Sequence, residues 1–183
     1  ASVPNPTNTL TDMTGTVGSG VTIGSGVTFP AGHVLGVVNT IKTTEFTTSS
    51  TSYTDITGMT ATITPSATSS KILILVNLQY GGSDYNFNGV VVRDSTEIAK
   101  ATDGLAGQRG TFAMSGVPAG QGSSYLVYSS SVNFLDSPST TSATVYKIQV
   151  KNQGGTFYLN RSTRDNSADE RAVSTMSLIE IAG

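Results

Sequence analysis

The chain has 183 residues and is sparsely charged, with 10 basic and 12 acidic side chains, one histidine, and no cysteine or tryptophan. The missing cysteines exclude disulfides, thiolate nucleophiles and cysteine-ligated zinc or iron–sulfur centres. A formal net charge of −2 offers no field for gripping phosphate backbones or anionic lipid, so neither nucleic acid nor membrane is an expected partner.

The longest aliphatic run, Ile72 to Val76, is five residues, far below the roughly 20 of a bilayer-spanning helix. No basic-then-apolar signal segment opens the chain. An Ala1-Ser2 start is what removal of an initiator methionine leaves, and equally what an artificial start would leave. The 28 Thr and 24 Ser make more than a quarter of the residues hydroxyl-bearing. They are interleaved with Val, Ile, Tyr and Phe in bounded runs, which is strand composition and not that of a disordered chain. Helix formers never gather at a 3.6-residue period over ten residues, and Ser95 to Ala101 would make two turns at most. The expected class is all-β, an antiparallel jelly roll or β-sandwich with a short extended N-terminal stem or arm.

Residues 1–33 read as that arm. Apart from Asp12 and His33, no titratable side chain occurs up to Ile41, and Pro4 and Pro6 favour an extended start. Gly18-Ser19-Gly20-Val21-Thr22-Ile23 is followed by Gly24-Ser25-Gly26-Val27-Thr28-Phe29, a six-residue repeat of the β-solenoid kind. Two rungs cannot cover each other's apolar face. The repeat is therefore either a docking or oligomerising stem completed by other chains, through Val17, Val21, Ile23, Val27 and Phe29, or a Gly/Ser linker.

Residues 34–183 read as the body, about eight to ten short strands. Val34 to Lys42 is mostly apolar. Tyr53 to Ile56 leads through Gly58 to Met59–Thr64, whose alternation puts Met59, Ala61 and Ile63 on one face. Lys71 to Leu78 reads as a central strand covered on both faces. Tyr85 to Arg93 and Thr96 to Lys100 form a pair joined at Asp94-Ser95, followed by glycine-rich Gly104–Gly110, by Thr111–Val117 and by a loop through Pro118. Ser123 to Leu135 alternates. Ala143 to Val150 alternates with Thr144, Tyr146, Ile148 and Val150 facing inward. Gly154-Gly155 is the expected hairpin turn into Thr156–Asn160, and Val173 to Ile181 closes the sheet.

Soluble monomers carry about a quarter charged residues, against 12% here, so a surface buried between copies is expected. The expected assembly is a closed homo-oligomer with three-fold symmetry.

Chemistry-bearing patterns are few. His33, at the junction of arm and body in Pro30-Ala31-Gly32-His33, has no nucleophile-elbow serine to partner it and reads as a turn residue. Asp165-Asn166-Ser167-Ala168-Asp169-Glu170 lacks EF-hand spacing and is flanked by Arg161, Arg164 and Arg171; it is either a calcium loop or a solvated loop of ion pairs. No cofactor and no catalytic residue is expected. Tyr85 and Phe87 share one face of a strand, with Asn86 and Asn88 on the other. Ring plus amide is the chemistry of glycan binding, and the alternative is core rings with solvent-facing amides. Asn160-Arg161-Ser162 matches the glycosylation acceptor pattern, which matters only in a secretory pathway.

Three longer runs carry a resemblance. Phe29-Pro30-Ala31-Gly32-His33-Val34-Leu35, Thr51–Met59 and Ile63-Thr64-Pro65-Ser66-Ala67-Thr68-Ser69-Ser70-Lys71-Ile72-Leu73 resemble a module of virion surface proteins in tailed bacteriophages of marine and freshwater bacteria, found in decoration, spike and fibre proteins. Phe134–Pro138 and Met176–Gly183 belong to the same pattern, so the resemblance spans roughly residues 29–183. The strand order is also similar, at fold level only, to the trimeric C1q/TNF jelly rolls. The resemblance implies a non-enzymatic structural protein on the virion exterior, docked by its arm on capsid or tail proteins. The alternative it leaves is a receptor-binding fibre tip that recognises host surface glycan.

Overall fold

The computed structural model describes residues 29–83, 86–104, 106–116 and 125–183. Eleven strands are seen among them: β1 (Val34–Lys42), β2 (Phe46–Thr48), β3 (Thr54–Ile63), β4 (Lys71–Ser83), β5 (Asn86–Arg93), β6 (Thr96–Ile98), β7 (Phe112–Ser115), β8 (Tyr128–Asp136), β9 (Thr144–Asn152), β10 (Thr156–Leu159) and β11 (Ser174–Ile181). One 3₁₀ turn, Ala106–Gln108, precedes β7. The expected all-β class holds.

The strands form two antiparallel sheets packed face to face. In the first, β11 lies between β1 and β4, β8 pairs along the other side of β4, and the short β10 and β2 extend the sheet beyond β11. The second runs β3-β9-β5, with β6 and β7 both pairing β5. With the short β2, β6 and β10 set aside, the chain alternates between the sheets except at β5 and β7, neighbours in the second, which is the winding of a jelly roll. The other eight strands give the order β1-β11-β4-β8 over β3-β9-β5-β7.

Period-2 patterning builds the core. Ile72, Ile74, Val76, Leu78 and Tyr80 of β4 meet Tyr146, Ile148 and Val150 of β9, and all are buried. β9 alternates as its sequence predicts, with Thr144, Tyr146, Ile148 and Val150 inward. Tyr80, Phe87 and Phe157 form an aromatic knot at one end of the sandwich. Tyr80 stacks on Phe157 at 5.9 Å, and Phe87 meets Phe157 edge-on at 5.4 Å.

The structure departs from the sequence reading at several places. β2 is not among the expected strands, and the strand expected over Ser123–Leu135 is seen as Tyr128–Asp136. The two runs Tyr53–Ile56 and Met59–Thr64 are one strand, β3, interrupted by a bulge. Asp55 pairs with Gln149 and Thr60 with Lys147, so five steps on β3 match two on β9. The extra residues let both Ile56 and Met59 enter the core, and Gly58 accommodates the kink at φ +87°. Gly154-Gly155 does not close a hairpin. Both sides of β9 are already paired, with β3 and β5, so the chain crosses to the first sheet, where β10 pairs β4 and β2. Finally, β4 is central but is covered on one face only: Leu73 is half-buried and Leu75 is exposed on the other.

One end of the sandwich, the base, gathers the start and finish of the described body. The Gly32 N–H donates to the Ala182 carbonyl at 2.8 Å, and the Ala182 N–H returns a bond to the His33 carbonyl at 2.8 Å. The loops Thr43–Glu45 and Asn160–Ala172 lie at the far end.

Candidate functional site

Two features stand out: the base, where the chain enters the body, and the outward face of the β1-β11-β4-β8 sheet. At the base, Glu180 points inward from β11 and is buried. It accepts hydrogen bonds from the Ser66 N–H and Oγ, both at 2.6 Å, and from Ser70 Oγ at 2.7 Å. Burial pushes this carboxyl up, but the Ser66 and Ser70 donors outweigh burial and hold it below the usual glutamate range. The clamp ties the β3–β4 loop to the last strand. Beside it, Asp136 of β8 accepts from Arg93 Nη1 at 2.9 Å and from the Tyr146 hydroxyl at 2.7 Å, which staples the two sheets together. Burial and then this carboxylate hold the Tyr146 phenol far above the usual tyrosine range.

The outward face of the first sheet is built by the residues that alternate away from the core. Register aligns them in rows: Val37–Ile179–Leu73–Leu135, then Asn39–Ser177–Leu75–Asn133, then Ile41–Thr175–Asn77–Ser131. Val37 is 62% exposed, Ile41 59% and Leu135 53%. Lys71, at the base and bonded to Ser137 Oγ at 3.0 Å, is the one charged side chain among these outward positions on the four strands. The outward face of the second sheet is different. There Lys147 Nζ lies 2.9 Å from Asp55, Gln149 bonds the same carboxylate, and Lys151 sits over the Tyr53 ring.

The far-end acidic loop is a network of ion pairs. Asp169 accepts from Arg164, from Ser162 Oγ and from the Asn166 N–H. Asp165 pairs with Arg171 and Arg161. Arg161 stacks over Tyr158 at 4.1 Å, with Nε 2.8 Å from Glu45, close enough to pair charge although the N–H is not aligned on the oxygen. These carboxylates face arginines, and among the described residues no cluster of three or more His, Asp or Glu is arranged to hold a metal.

The sequence-predicted residues separate. Val17, Val21, Ile23, Val27 and Tyr85 lie outside the described residues. Phe29 is partly exposed, its ring 5.5 Å from that of His33, and His33 serves the base turn through its backbone. Asn86 is exposed. Phe87 is a core ring at 2% exposure, so it presents no face to a sugar. Asn88 is buried as well, and does not face solvent as either reading of this strand required. Its amide donates to the Gln108 carbonyl at 2.6 Å, and its oxygen lies 3.4 Å from the Tyr53 hydroxyl. The glycan constellation therefore does not assemble on β5. Asn160, the acceptor-pattern asparagine, is buried too, and donates to the carbonyls of Lys42 and Thr44.

Sequence reasoning missed Glu180, Asp136 and the uncharged face. A signal for the face was present. Outward positions of β4 after Lys71 read Leu73, Leu75, Asn77, Gln79, whereas those of β9 read Lys147, Gln149, Lys151. No family model and no curated protein matches the chain.

Proposed function

We propose that the protein is a non-enzymatic structural component of a virion exterior, a homo-oligomer whose jelly-roll body is presented from its base by the preceding arm. The observation that carries this reading is the base itself. Residues 32–33 and 182 are bonded together at one end of the sandwich, which leaves the far end to project. The resemblance of residues 29–183 to phage surface modules supplies the setting. Glu180, Asp136, Asp169 and Tyr146 are engaged in bonds that tie strands and loops together, the use a scaffold makes of ionisable groups.

Docking then comes from the arm, with apolar burial and backbone pairing supplying affinity and several copies engaging at once supplying avidity. Removing residues 1–29 is expected to leave a folded body that no longer binds particles depleted of the protein. Undiminished binding by the shortened chain in a co-sedimentation assay would refute arm docking.

A further inference from the structure

We infer that the outward face of the β1-β11-β4-β8 sheet is the surface on which copies of this chain pack against one another. The inference deepens the oligomeric part of the reading above and rests on it, while standing apart from virion docking.

The first ground is the absence of charge. A charge buried in a contact between copies must find an opposite charge on the facing surface or lose its hydration uncompensated, so a face without charges is the easiest to bury. Beyond Lys71 at its base margin this face carries none, while the opposite sheet displays Asp55, Lys147 and Lys151. A partner chosen by charge complementarity would find nothing here to read.

The second ground is that several polar groups of the face are already bonded within the chain. Asn39 Nδ2 donates to Ser177 Oγ at 2.7 Å, and Gln79 Nε2 donates to Asn77 Oδ1 at 2.7 Å and to Ser129 Oγ at 3.0 Å. These groups lose little when water is removed, because their partners lie beside them on neighbouring strands. The apolar half, led by Val37, Leu73 and Leu135, gains outright from burial.

The third ground is extent. Four strands about 4.8 Å apart and nine residues long span about 600 Å² in projection. About half of that area is apolar, and the whole face approaches the roughly 800 Å² each partner gives to a standard interface. Both flanking strands, β1 and β8, also have a free edge among the described residues. Neither edge carries the outward lysine or the proline with which monomers block edge pairing.

The test is sedimentation velocity on the full chain across a micromolar range, with Val37→Lys and Leu135→Lys at opposite ends of one row and Gln149→Lys on the other sheet. The wild type and Gln149→Lys are expected to sediment as the same oligomer. Each face variant is expected to associate at least tenfold more weakly with an unchanged β-type circular dichroism spectrum. A monomeric wild type, or face variants that assemble like the wild type, would overturn the inference. If either lysine variant fails to fold, single thiols decide, since the chain has no cysteine of its own. The Leu135→Cys thiol should react with maleimide at least tenfold more slowly than the Gln149→Cys thiol, and equal rates would overturn the inference. Failure here leaves arm docking intact, because that reading stands or falls on particle binding by the shortened chain.

Discussion

At the level of single residues, the body depends on one buried and one partly buried carboxylate, Glu180 and Asp136, that hold together parts distant in sequence. Glu180 has its folded-state carboxyl held low, so it stabilises the native state above the unfolded-chain value near 4.3, and that stabilisation fades as pH falls through the folded value. Glu180→Gln weakens up to three charge-assisted bonds and is expected to cost about 2 kcal/mol at pH 7. The same variant should lose less stability than the wild type between pH 6 and pH 3. Urea unfolding at both pH values checks this; parallel losses in the two proteins would mean the clamp is not the titrating element. Tyr146→Phe removes one of the donors to Asp136 but leaves Arg93 in place, so a milder cost of about 1–2 kcal/mol is expected. Neither clamp was legible in the sequence. Glu180 is one acid in an apolar strand, and only the fold brings Ser66 and Ser70 to it across more than a hundred residues.

At the level of elements, the sequence was most informative where periodicity is local. The bounds of β1 follow from its apolar run and the inward face of β9 from alternation. So does the pairing of β5 with β6 through Asp94-Ser95, where Asp94 adopts φ 53°. What alternation cannot carry is which sheet a strand joins. Gly154-Gly155 has the composition of a hairpin turn, yet the pairing of β9 on both sides sends β10 elsewhere. At Phe87 the core-ring alternative holds, but Asn88 does not face solvent, because Gln108 and Tyr53 cover that side of the strand. Gly82 in β4 shows how tight that packing is. A Cβ there would lie 2.0 Å from the Phe87 ring, which Tyr80 and Phe157 hold in place. Gly82→Ala is therefore expected to destabilise by about 2–3 kcal/mol. At Gly58, where a Cβ would meet nothing nearer than 3.6 Å from Lys42, Gly58→Ala should cost about 1–2 kcal/mol from backbone strain alone. Thermal unfolding of the two variants separates crowding from strain, and a smaller loss at Gly82 would contradict the packing described.

At the level of the whole molecule, low charge is distributed unevenly, and that unevenness says more than the total. The second sheet keeps a solvated, ion-paired face, the far end keeps its arginine–carboxylate loop, and the first sheet turns an uncharged face outward. Composition leads to the expectation of burial between copies but points to no face; the face proposed here rests on the register of four strands far apart in sequence. On the proposed reading the body is fixed at its base, joined to copies through one face and free at its far end, the arrangement expected of a surface component of a larger particle. The most direct measurement is imaging of virions from an infection that expresses this chain, at a resolution where its strands can be traced. The account predicts copies on the particle exterior, with their β1-β11-β4-β8 faces against one another and their bases toward the particle. A chain absent from the particles, or present with that face open to solvent, would contradict it.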